Sequence, residues 1–240
     1  MRMHRPVLLL AIVAALLLAL AGPGVRFGLW SIGTGFDLMR WGAYLGLACA
    51  AAALVMILMP RWRGPSAWPL AGAVALGLLS AGVPWYWRQR AERVPPIHDI
   101  TTDTQDPPAF AAVLPLRADA PNPAGYGGDS IAAQQKQAYP DVVPLALAAV
   151  APPVAFQRAL AAARAAGWAI VAADSAAGRI EATATTGWFG FKDDVVVRIR
   201  PAGSGSLLDV RSVSRVGGSD VGTNAERIRG FLRTVAAAHE

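Results

Sequence analysis

The stretch DVVVRIRPAGSGSLLDVRSVSRV (194–216) decides what kind of domain the chain carries. Two runs rich in Val, Ile and Leu, Asp194 to Arg200 and Leu207 to Val216, flank Ala202-Gly203-Ser204-Gly205-Ser206. Branched side chains favour the pleated backbone, and the small flexible residues between them read as a hairpin turn. A turn centred near Ser204 sets Asp193 opposite Arg215, and position 197 opposite 211. Alternation along the second strand puts Arg211, Val213 and Arg215 on one face and Ser212 and Ser214 on the other.

Working outward, Arg179 to Thr186 alternates Ile180, Ala182 and Ala184 against Glu181, Thr183 and Thr185, a half-buried strand. Ala176-Ala177-Gly178 turns into it from a strand at Trp168 to Ala173. Pro152-Pro153 opens a helix, since proline suits a first turn. Phe156, Leu160 and Ala163 recur there at helical spacing, and Gly167 stands at the C-cap. Asp141 to Ala148 reads as one more strand. Downstream, Thr223 and Glu226 match the S/T-x-x-E capping box, followed by an apolar face of Ile228, Phe231, Leu232 and Val235. The order β-α-β-β-β-β-α predicts an α+β domain over 141–240, an antiparallel sheet covered by two helices.

Eight prolines between 94 and 140 make that stretch read as an extended linker, with a turn at PNPAGYGGDS (121–130) and a short helix from Ile131 to Ala138. His98 stands there beside Asp99 and near Asp103. Such groups suit a metal, but the other histidines are His4 and His239, too few nearby for a full ligand set. No metal and no cofactor is expected.

The first 93 residues read as a membrane domain. Val7 to Ala21 is apolar behind Arg2, His4 and Arg5. It reads either as a span reaching Phe27 or as a signal peptide ending in Ala19-Leu20-Ala21. Trp41 to Met59 and Trp68 to Trp87 are free of charge and long enough to cross a bilayer. Pro60 to Ala67 turns between them, and Trp41, Trp62, Trp68, Trp85, Tyr86 and Trp87 mark the span ends. The spans hold no ionisable residue, which argues against a pump or transporter. Gly42 and Gly46 form GxxxG, and Ala73, Gly77 and Ala81 line a face; this is helix packing, with a homodimer as one outcome. Cys49 reads as a small buried apolar residue.

Net charge divides with the architecture. Residues 1–93 hold nine Arg against Asp37 and Glu92, a charge of +7, while the rest carries 13 basic and 14 acidic groups. The outer domain has no basic field to gather phosphates, so nucleic acid is not an expected partner. With three spans and the amino terminus inside, the domain emerges on the outer side, although Arg88, Arg90 and Arg93 there weigh against it.

The polar residues offer three readings. One is a salt-bridged, solvated sheet face carrying Asp193, Asp194 and the arginines. A second is an anion or lipid-headgroup site built from Arg198, Arg211, Ser214, Arg215, Asp220 and Asn224, with amides of the glycine turn at 216–220. Trp188, Phe189 and Phe191 form an aromatic patch that closes a core or meets membrane or partner. The third reading, an enzyme, is disfavoured: after Asp141 the domain has no cysteine, and its only histidine is His239, in the tail.

GWFGFKDDVVVRIR (187–200), DVRSVSRVGGSDVGTN (209–224) and IHDITTD (97–103) together resemble the domain-of-unknown-function 1499 family, over roughly 94–238. Gly187 and Gly218 depart from it, where other members often carry bulkier residues. The resemblance implies a bacterial, membrane-anchored envelope protein, sited in the inner membrane and without an established activity.

Overall fold

The computed structural model describes residues 4–59, 61 and 67–237. Trp62 and Arg63 of the expected turn lie outside the described residues, as do Arg2 and His239. The chain divides into two compact units, residues 1–90 with 187–190, and residues 91–186 with 191–240.

The first unit holds α1 (His4–Arg26), α2 (Ile32–Leu58) and α3 (Trp68–Glu92), each long and apolar enough to cross a membrane. Helix α2 starts nine residues before the expected span, because Ser31 accepts the Thr34 N–H at 3.2 Å and caps it. Small residues let the backbones close up. A methyl on Gly42 would lie 3.0 Å from the Ala14 carbonyl oxygen of α1. One on Gly46 would lie 2.8 Å from the Gly77 oxygen of α3, and one on Gly77 only 2.3 Å from the Gly46 oxygen. The GxxxG pair, read as helix packing with a homodimer as one outcome, packs inside the chain, one glycine against each neighbouring helix.

The second unit contains β1 (Asp99–Thr101), a 3-10 turn (Leu114–Arg117), α4 (Asp129–Ala138), β2 (Leu145–Leu147), α5 (Pro152–Ala165), β3 (Ala169–Asp174), β4 (Arg179–Thr185), β5 (Lys192–Ala202), β6 (Gly205–Ser214) and α6 (Thr223–Ala237). The sheet is antiparallel, in the order β1-β6-β5-β4-β3, with β2 also on β6. As expected, it is α+β with two helices over one face. Phe156 and Leu160 of α5, Ile228 and Phe231 of α6, and Val195, Val197 and Val210 of the sheet form that core. Trp168 stacks on Phe231 at 4.9 Å. Helix α5 ends in a Schellman turn: Gly167 adopts φ +73°, and Trp168 N–H reaches the Ala163 carbonyl at 3.1 Å.

Two expectations differ. The β5–β6 turn is the tighter Gly203-Ser204, joining the pair Ala202 and Gly205, so Asp193 pairs with Ser214 and Val197 with Val210. That slip of one residue puts Asp193 on the helix-covered face, away from Arg215. The segment read as a linker is also part of this fold. Asp99–Thr101 pairs with Thr101↔Arg211 through Asp99↔Val213 on β6, and Phe110 and Val113 pack on Val196 and Val213 over the second face of the sheet. Proline keeps this segment irregular, and side chains serve its backbone instead. Gln135 of α4 bonds Thr101 N–H at 2.9 Å and its carbonyl at 2.6 Å.

Candidate functional site

The face beneath the 103–126 segment gathers the charges. Val196, Arg198, Asp209, Arg211 and Val213 share it by alternation, and β4 adds Glu181 and Thr183. Arg211 grips Asp99 through two bonds, Nε to Oδ1 at 2.9 Å and Nη2 to Oδ2 at 2.7 Å. It also donates to the carbonyls of Pro108 and Ala124, between the rings of Phe110 and Tyr126. Arg215 holds Asp194 in the same way, at 2.9 and 2.7 Å, and donates to the Leu116 carbonyl. Asp194 additionally accepts the Thr183 hydroxyl at 2.8 Å and lies 3.4 Å from the buried Arg117 guanidinium.

Further along, Arg198 reaches Asp103, Asp106 and Asp209 at 3.0, 2.7 and 3.0 Å, and Arg200 reaches Asp209 at 2.7 Å. Glu181, wholly buried, accepts the N–H groups of Ala111 and Val113 and faces Arg179 at 3.3 Å. Each of these arginines is thus seated on a carboxylate of the chain itself. The expectation of a solvated face differs here, because the 103–126 segment covers it and buries Asp194, Asp209 and Arg211. The planar forks of Arg198, Arg211 and Arg215 are occupied by Asp209, Asp99 and Asp194.

The electrostatics follow from that closure. Burial pushes the Asp103 carboxyl up, but the Asp106 and Gln105 amides with Arg198 and Arg200 outweigh it, and the net shift is down. Burial, with Asp99 nearby, pushes the Tyr126 phenol up to about 12. Arg117 is lowered by burial and by its arginine neighbours, against the pull of Asp194.

A second polar cluster lies on the helix side. Asp193 pairs with Arg227 of α6 at 2.5 Å. Arg227 also meets Ser212 Oγ at 3.0 Å and the Asn224 side-chain oxygen. Buried Asn224 donates to Ser214 Oγ and to the His98 carbonyl, both at 3.0 Å. Asp220 accepts the N–H groups of Gly222 and Asn224 at 2.9 and 2.7 Å, so its side chain caps α6 in place of the expected Thr223, and the Glu226 N–H reaches the Gly222 carbonyl at 3.1 Å. Burial raises its carboxyl above the ordinary value, against those two bonds.

The structure therefore brings Ser214, Asp220, Asn224 and Asp193 together, and separately Arg198, Arg211, Arg215 and Asp194. The aromatic patch divides. Gly187–Gly190 belongs to the helical unit, and Phe191 to the sheet unit. Phe189 is buried and packs on Phe36 at 5.3 Å, and Trp188 seats against Gly22, where a methyl would lie 2.4 Å away. Among the described residues, no three His, Cys, Asp or Glu side chains stand together as a metal site; Asp99 and Asp103 face arginines, and the His98 carbonyl serves Ser214. Arg117, Gln135 and Arg227 are members that sequence reasoning missed. Arg227, three residues after Asn224 on one helix face, is the one that spacing signals.

Three helices long and apolar enough to cross a membrane, consistent with membrane association, precede an α+β sheet domain whose charged face is paired internally. The model of the family described as "Protein of unknown function (DUF1499)" matches residues 99–235, more than half of the chain. The chain belongs to that family. A search of curated proteins finds no match to it.

Proposed function

We propose that the chain is a membrane-anchored, non-catalytic scaffold of the bacterial inner membrane, its sheet domain on the outer side. The observation that supports this is the pairing of the charged face. The arginines and carboxylates that would bind an anion or move a proton hold one another, and the Asp99–Arg211 pair is buried on both sides. An anion held by Arg211 and Arg215 has to displace Asp99 and Asp194, leaving the buried Asp99 without its arginine and Asp194 with Arg117 and Thr183 alone, at a cost of several kcal/mol.

The test is thermal unfolding of the full chain in detergent with inorganic phosphate as the probe. The expected result is no saturable rise in Tm. A saturable rise above about 3 °C, lost in Arg211→Lys, would establish a ligand site on the sheet and overturn the scaffold reading.

A further inference from the structure

Residues 103–126 cross the second face of the sheet as irregular chain around the 3-10 turn at Leu114–Arg117. The apolar contact beneath them is small: Phe110 and Val113 on Val196 and Val213, with Ala124 and Val171 beside them. Their other ties to the sheet are polar. Glu181 accepts the Ala111 and Val113 N–H groups, Arg211 donates to the Pro108 and Ala124 carbonyls, and Arg215 donates to that of Leu116. Each such bond is exchanged for one to water when the segment lifts, so its net worth is modest.

The charges below are matched without the segment. Arg211 has Asp99 of β1, Arg215 has Asp194 of β5, Arg198 and Arg200 have Asp209 of β6, and Glu181 has Arg179 of its own strand. The pairs that part, Asp103 from Arg198 and Arg200 and Asp106 from Arg198, return both partners to water. Closure instead leaves polar groups of the segment itself poorly served. The Arg117 side chain is 3% exposed, and its Nε and Nη1 make no hydrogen bond. Asp194 stands 3.4 Å from Nη1 but is committed to Arg215 and Thr183. The Tyr126 hydroxyl is buried without a hydrogen bond as well. Burial and the neighbouring Arg215 and Arg211 hold the Arg117 pKa below its ordinary value. Hiding such groups is costly, and water removes that cost when the segment lifts.

We propose that residues 103–126 are a strap that opens as one unit while the helix-covered core stays folded. Opening strands no sheet charge, hydrates Arg117 and Tyr126, and gives up only the Phe110 and Val113 contact. It uncovers Val196 and Val213 and frees Phe110, an apolar surface that the closed domain keeps hidden. Access to the second sheet face is thus set by the strap and not by the strands.

The experiment is native-state hydrogen exchange on the full chain in dodecyl maltoside, in urea concentrations below the unfolding transition. The Ala111 and Val113 amides are expected to exchange about 100-fold faster than those of Val195, Val197 and Val210, with a much weaker urea dependence. Phe231→Leu, in the helix-covered core, speeds exchange of the three valines and leaves the strap rates unchanged. Arg117→Met removes the poorly bonded cation and keeps its bulk, so strap exchange slows about tenfold. Strap and core amides sharing one rate and one urea slope would overturn the proposal. So would a Phe231→Leu chain whose strap speeds up with the core, or an Arg117→Met chain whose strap exchanges no more slowly than the wild type.

Discussion

Arg211 and Arg229 each hold an aspartate through two hydrogen bonds, Arg211 on Asp99 and Arg229 on Asp141 at 2.6 Å twice over. Water separates their energetic weight. The Asp99 and Arg211 side chains are 7% and 3% exposed, those of Asp141 and Arg229 56% and 30%. Removing one partner of a buried pair strands the other charge, so Arg211→Ala should destabilise the domain by about 3–5 kcal/mol. Arg229→Ala should cost less than about 1 kcal/mol, because Asp141 regains its water. The double replacement Asp99→Leu with Arg211→Met should recover most of the loss, since it removes both charges together. Denaturant unfolding of the three variants gives these differences directly, and an Arg211→Ala chain as stable as Arg229→Ala would sink the distinction.

At the scale of elements, the α2–α3 contact rests on Gly46 and Gly77, each under the other's carbonyl. Gly77→Leu is expected to force the helices apart and lower the detergent unfolding midpoint substantially, overpacking of this kind costing about 1–3 kcal/mol or more. Gly82→Leu, on the open side of the same helix, serves as the matched control. The contrast bears on how far sequence reaches. The small-residue stripe was legible, and helical periodicity placed it on one face. Whether it met a helix of the same chain or of another was not, because packing partners leave no periodic trace. The long strands and α5 were legible by alternation, cap and Schellman glycine. Strand β1 was not: three residues cannot show alternation, and Pro95-Pro96 before it argued for open chain. The hairpin register failed by one residue because Gly203, Ser204 and Gly205 all suit a turn, and only the ladder decides among them. In the charged face, Arg198, Arg211, Arg215 and Asp194 were found from the strands. Their partners Asp99, Asp103 and Asp106 were not, because about a hundred residues of chain separate them from β5 and β6.

For the whole molecule, the carboxylates set an acid limit. Asp103 is held below its ordinary 3.8 as described above, and Asp141 is held below it too, chiefly by its bonds from Arg229. Stability from these two is fully present above pH 3.8 and is lost as pH falls through their lower folded values. Asp220 has the opposite sign. Its raised carboxyl favours the protonated form in the fold, so its contribution grows as pH falls toward 3.8. Asp103→Asn should therefore flatten the acid limb of a Tm-against-pH curve, and Asp220→Asn, which keeps a capping oxygen, should steepen it. The opposite pair of slopes would refute the assignment.

The order in which the chain is synthesised gives β1 a further meaning. Asp99 leaves the ribosome 112 residues before Arg211, the residue that neutralises it. Strands β3, β4 and β5 can pair as they emerge, but until β6 is complete Asp99 has no ladder to join and no Arg211 to meet, so β1 docks last. A chain stalled before residue 211 carries its three apolar helices and the β3-β4-β5 strands, but not the β1 pairing. In that truncated product Asp99, buried in the finished domain, stays open to solvent and to proteases.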